Sequence, residues 1–168
     1  MKCTLCLLLP AVFWLGMCQD STAEDRPNFI LLLADDLGWN GPACYGSDFH
    51  ETPNIDRLAA EGMKFTHAYA ACTVCSPTRA AVMTGMYPAR LRVTNWITGT
   101  KKPFAKLQPP GWTLQLEHRH TSLAEALREA GYRTAHVGKW HLGGEEFGPK
   151  THGFERNIGG SSHGSPNG

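Results

Sequence analysis

The chain has 168 residues, with 16 lysines and arginines against 15 acids and a formal net charge of +1. So even a balance excludes the broad basic face of a general nucleic-acid binder, while leaving room for a local basic pocket. The length suits one hydrophobic core rather than two, and no internal repeat or low-complexity tract interrupts it.

Residues 1–23 read as a processing signal. Lys2 gives a positive start, the apolar run 5–17 is too short to span a bilayer, and Ser21 and Ala23 precede a cut at Glu24. The rival is a lipid anchor on Cys18, but Met17 is large where such sites take a small residue. The expectation is export (secreted, periplasmic or lumenal) without a stable membrane anchor. Removing the signal takes one base, Lys2, and one acid, Asp20, so the balance is unchanged. It leaves Cys44, Cys72 and Cys75, an odd number, which in an oxidising compartment points to one special thiol. A Cys72–Cys75 redox or zinc element is the alternative by its C-x-x-C spacing, though no second such pair or His cluster follows.

The unbroken apolar run 28–34 has the pattern of a strand buried on both faces. A helix over 52–61 follows, capped by Thr52 and stopped by Gly62, with Ile55, Leu58 and Ala59 on one face. Residues 63–70 read as a second strand. A loop then enters a helix in which Ser76 is the predicted cap and Pro77 the first helical residue, ending at Gly85. Residues 91–119 are broken by Gly99, Pro103, Pro109, Pro110 and Gly111. Ser122 and Glu125 make a capping box for a helix ending at Gly131, with Leu123, Ala126, Leu127 and Ala130 as its apolar face. Residues 132–138 form a third strand, and the glycine-rich remainder from Gly143 reads as loop. The alternation predicts an α/β fold, a mostly parallel sheet flanked by helices.

Such sheets bind ligands beyond the carboxyl ends of their strands, where Asp35 and Asp36, Cys75, and Lys139 with His141 all fall. Cys75 sits at a helix start, where free N–H groups favour negative charge. Arg79 opposes the helix dipole from the first turn, a conflict that an anion held between it and the helix start would remove. Asp35 and Asp36 repel each other unless a cation or basic groups intervene, and a solvated turn is the plain alternative. Lys139 and His141, two apart in extended chain, would point to one side and grip one anion. Trp96 and Trp112, with Lys101 and Lys102, are candidates for stacking on a sugar or for anchoring their loop. The histidines at 50, 67, 118, 120, 136, 152 and 163 lack metal-ligand spacing, and His118 and His120 read as surface or capping residues.

The run Cys75-Ser76-Pro77-Thr78-Arg79 resembles the sulfatase signature Cys-x-Pro-Ser-Arg, extended to Thr84-Gly85. Thr78 replaces the usual serine, and Met86 stands where a basic residue is common. Gly138 to Gly143 resembles a second sulfatase block, and Arg26-Pro27-Asn28 and Leu37-Gly38 also look like the family. The resemblance implies an alkaline-phosphatase-like sulfatase fold, of which residues 24–168 would be the N-terminal catalytic portion and the chain apparently truncated. It implies a sulfuric ester hydrolase acting on an aryl or carbohydrate sulfate ester. Cys75 would be converted to formylglycine by a formylglycine-generating enzyme, and the hydrated aldehyde would attack sulfur. Arg79 and Lys139 would stabilise sulfuryl charge, His141 would take a proton, and Asp35, Asp36 and residue 75 would bind calcium. With Cys75 converted, Cys44 and Cys72 are expected to be bonded to each other or both buried. The competing readings are a sulfated-glycan-binding fragment, a phosphatase or phosphodiesterase of the same superfold, and a thiol-redox protein.

Overall fold

The computed structural model describes residues 26–99 and 103–165. The signal at 1–23, Lys101, Lys102 and the last three positions lie outside the described residues. Residues Met1–Leu33 and Ala34–Gly168 form separate compact units.

In the first unit, residues 26–33 form no strand, and Ile30 and Leu32 are 86% and 80% exposed. The predicted buried strand over 28–34 is therefore not made. A central strand needs a hydrogen-bonded neighbour on each edge. The only ladder among the described residues is elsewhere, between β1 (Ala135–Val137) and β2 (Arg156–Ile158), which run parallel with His136 opposite Asn157. The predicted second strand over 63–70 is likewise irregular, with Met63 and Phe65 exposed. β1 lies inside the predicted third strand, and β2 comes from the stretch read as loop.

Among the described residues of the second unit are four α-helices: α1 (Pro53–Glu61), α2 (Cys75–Thr84), α3 (Pro88–Leu91) and α4 (Leu123–Glu129). In α1, Thr52 is the N-cap, but its hydroxyl accepts from Ala43 N and donates to Asp56 Oδ1 instead of bonding the helix start. Ile55 and Leu58, the expected core face of α1, are exposed. α4 has the predicted capping box, with Ser122 Oγ accepting from Glu125 N and Glu125 Oε2 from Ser122 N. Its buried residue is Ala124 rather than Ala126 or Ala130. The helix docks through its capping serine, whose hydroxyl also donates to His152 O at 2.7 Å, and that end-on approach buries a different face.

The core joins Ala80 of α2, Leu91 of α3, Val93, Leu116, Trp140 and Leu142, with Met83, Met86 and Phe154 against it. Leu116 N donates to Leu142 O, and Trp140 Nε1 to Phe147 O. His152, read as scattered, is fully buried, its ring nitrogens against the carbonyls of Leu116 and Gly148. The core thus grips Trp140 and Leu142 on either side of His141.

Gly153 ends the short 3-10 turn Pro149–His152 at φ 90°, where an added Cβ would lie 2.4 Å from Glu125 N. Gly85 closes α2 at φ 68° with open space around it. Gly153→Ala should therefore destabilise the chain by about 3 kcal/mol, combining positive-φ strain with a backbone clash, and Gly85→Ala by about 1 kcal/mol from strain alone. Urea denaturation of both variants checks the order; equal losses would contradict it.

Candidate active site

α2 begins at Cys75, with Val74 as N-cap, so the predicted start is two residues late. Ser76 does not cap. Its buried hydroxyl accepts from Ile97 N at 3.0 Å, which ties the helix start to the segment around Ile97. Thr78 Oγ1 donates to Cys72 O at 2.7 Å, fixing the approach to the helix. The half-buried Cys75 thus occupies the first helical position, where the backbone N–H groups have no intrahelical acceptor.

One turn on, Arg79 is buried and reaches two other segments. Its Nη1 donates to Lys139 O at 2.5 Å and its Nη2 to Asp35 Oδ1 at 3.1 Å. Lys139 Nζ donates to the other oxygen, Asp35 Oδ2, at 2.5 Å. The anion that offsets Arg79 near the start of α2 is thus a carboxylate of the chain itself. Three segments far apart in sequence meet, as expected, but only one of them follows a strand. Burial pushes the Asp35 pKa up; the hydrogen bonds from Lys139 and Arg79, and their charges, outweigh it and hold the carboxyl below 3.8.

His141 is not placed by an extended chain. It takes φ 57°, a left-handed conformation costly for a residue with a Cβ, and Gly138 before it has φ 91°. The histidine is 3% exposed. Its backbone N–H donates to Ser161 O at 3.0 Å, and its Nε2 meets Ile97 O. A carbonyl only accepts, so the Ile97 contact puts the proton on Nε2 and leaves the lone pair on Nδ1. That Nδ1 is buried and has no hydrogen-bond partner among the described residues. Burial lowers the His141 pKa, the charges of Lys139 and Arg79 lower it further, and the Ile97 carbonyl and Asp35 oppose them; the result lies below 6.5. At neutral pH the group is an uncharged base.

Cys75, Lys139, His141 and Asp36 share one cleft of about 830 Å³, which Trp96, Ile97, Leu114 and residues 162–165 also line. Asp36 sits there at φ 59°, a conformation Asp tolerates. Asp35 and Asp36 offer the hard oxygens that calcium takes, and Asp36 borders the same cleft as residue 75. They fit such an ion as part of a ligand set. Among the described residues no group of three or more His, Cys, Asp or Glu gathers, so further oxygens are needed.

One sequence expectation fails nearby. Cys44 and Cys72 are neither bonded nor fully buried: Cys44, Cys72 and Cys75 are all free and half-buried. Burial and neighbouring Asp56 raise the Cys44 thiol pKa above 9.0, and its amide donates to Asp56 Oδ1. Trp112 packs over Gly99, in keeping with its reading as a loop anchor, and does not line the cleft. Ile97, Ser161 and His163 were missed; the first two act through backbone atoms, which no side-chain pattern reveals.

A family model described as sulfatase matches residues 27–166. N-acetylgalactosamine-6-sulfatase of Rattus norvegicus is 42% identical over 91% of this chain and 29% of its own length. Steryl-sulfatase of Homo sapiens is 46% identical over 74% and 20%. The crystal structure of Ps i-CgsB superposes with a TM-score of 0.66 at 35% identity, over 80% of this chain and 29% of that one, and a second structure holds it with k-i-k-neocarrahexaose. The chain therefore spans under a third of the relatives it matches.

Lys139→Met should raise the pKa of both Asp35 and His141, because the ammonium lowers each. Asp35 stabilises the fold above its unfolded pKa, and that stabilisation is lost as pH falls through its lower folded pKa; the variant should lose it at higher pH. NMR titration of the carboxyl and imidazole carbons reads both shifts, and a fall in either contradicts the arrangement.

Proposed function

The chain belongs to the sulfatase family, with its alkaline-phosphatase-like α/β fold of parallel strands and flanking helices, and on that premise we propose that its cleft hydrolyses sulfate esters through a formylglycine made from Cys75. The observation that carries this reading is the Asp35 clasp. It holds Arg79 and Lys139, two cations from different segments, against one carboxylate beside the cleft that contains Cys75.

In this reading Lys139, which lines the cleft, faces the sulfuryl oxygens, and the charge of Arg79, held behind it on Asp35, helps to steady the charge that grows on them. Residue 75, once converted by a formylglycine-generating enzyme, would present a hydrated aldehyde whose hydroxyl is the nucleophile toward sulfur. Asp35 and Asp36, with residue 75, would hold a divalent ion, calcium by donor type, which would add positive charge at the same oxygens. The ester S–O bond would break and the alcohol would leave with the proton of the attacking hydroxyl. His141 would accept the proton of the second hydroxyl at Nδ1, the atom left free by the Ile97 contact, as sulfate departs and the aldehyde is restored. The substrate is a carbohydrate or aryl sulfate ester; relatives named N-acetylgalactosamine-6-sulfatase and arylsulfatase H support the two classes. Export to a lumen, periplasm or medium goes with this chemistry, and no helix of the described residues is long and apolar enough to cross a membrane.

Peptide mapping across position 75 of protein made with the converting enzyme should find an aldehyde. Cys75→Ala should lose all turnover of sulfate esters while keeping the fold, and chelation should lower activity in a way calcium restores. A protein that binds sulfated sugars equally well with an intact thiol and never turns them over is a binding protein, and one that prefers phosphate esters is a phosphatase. For the wild type, the acid limb of kcat should lie below pH 6.5, where neutral His141 is lost; a limb well above that value excludes His141 as the base.

A further inference from the structure

Besides Leu114, Gly143 and Gly144, two segments that carry none of the proposed chemistry line the cleft, residues 96–98 and 162–165, and both approach His141. Ile97 meets its Nε2, and Ser161 accepts its backbone N–H. Gly164 lies against its ring, where an added Cβ would be 2.8 Å from Cε1. A leaving group one bond from sulfur must therefore enter between residues 96–98 and 161–165.

The two sides differ in chemistry. On one, Trp96 is 36% exposed, lines the cleft, and makes no ring contact among the described residues, and exposed Leu114 lines the cleft too. Trp112 is its contrast: it closes over Gly99, where an added Cβ would lie 2.2 Å from its ring, and serves as the loop anchor. On the other side stand Ser162, His163 and Ser165. His163 is exposed, its Nδ1 meets Ser161 Oγ at 3.3 Å, and its Nε2 has no hydrogen bond among the described residues.

We propose that Trp96 and His163 are specificity-determining residues that select a sulfated pyranose ring, Trp96 by stacking on its C–H face and His163 by hydrogen bonding its hydroxyl edge. This rests on the sulfatase reading of the same cleft. A pyranose has one apolar face and a rim of hydroxyls, which matches the two walls. An aryl or sterol leaving group offers a flat face to Trp96 but nothing to His163, whose polar atoms it would strip of water without replacement. Trp96 thus favours rings of either kind, and His163 tells them apart.

The test uses the full chain carrying Cys75→Ala, so that binding is read without turnover. Calorimetry measures Kd for methyl galactopyranoside 6-sulfate and for phenyl sulfate. Adding Trp96→Ala should weaken both about tenfold and leave their ratio within about twofold, and Trp96→Phe should restore most of the loss. Adding His163→Ala should lower the pyranose preference about tenfold. A ratio unmoved by His163→Ala, or pyranose binding unmoved by Trp96→Ala, overturns the proposal. Failure of the sulfatase reading shows separately, as absent turnover of either ester by the converted Cys75 protein.

Discussion

The Asp35 carboxylate, clasped between Arg79 and Lys139, is the interaction on which the site depends. Two cations at low exposure repel, and neither side chain could stay beside the other without a shared anion. Asp35 supplies it with one oxygen for each, across sequence separations of 44 and 104 residues. The guanidinium also takes the Lys139 carbonyl, so it fixes the backbone as well as the side chain of the residue it faces. Removing Asp35 would leave Arg79 buried near the start of α2, opposed by the dipole and by its neighbour.

The left-handed turn at His141 is the second constraint, and the core sustains it. Trp140 and Leu142 are buried on either side, Leu142 O is bonded to Leu116 N, and the His141 amide is bonded to Ser161 O. Held at three successive residues, the chain keeps a strained φ at the residue proposed as the base. The strain costs stability of about 1–2 kcal/mol, which the packing of Trp140 and Leu142 exceeds.

In the sequence, Arg79 at a helix start and the adjacent Asp35 and Asp36 stand out by their charge, whereas the roles given to Cys75, Lys139 and His141 rest on the resemblance of their blocks to sulfatase motifs. The structure brings Asp35, Arg79 and Lys139 into contact and sets Asp36, Cys75, Lys139 and His141 around one cleft. Helix boundaries were partly legible: the Ser122 and Glu125 box was found, whereas Ser76 was assigned a cap it does not make, because its hydroxyl had a tertiary partner in Ile97 N. Strands were the least legible. Apolar runs at 28–34 and 63–70 have strand patterns, but a pattern does not supply the neighbour that a ladder requires, and β2 arose from polar Arg156-Asn157 because β1 was there to pair with it. The glycine-rich end looked empty for the same reason that it is useful: small residues let its backbone approach the His141 ring.

The contacts that set His141 are made by backbone atoms, and this separates chemistry from selection. The Ile97 carbonyl fixes the tautomer and the Ser161 carbonyl fixes the main chain, so neither duty belongs to a side chain. Side chains at 96, 98, 162 and 163 can then differ in size and polarity without moving His141. On the proposed reading, a cleft built this way keeps one reactive end while its walls are fitted to different leaving groups. In this chain the walls are an unstacked indole and a row of hydroxyl and imidazole groups, and that pairing favours a ring with one apolar face and one polar edge.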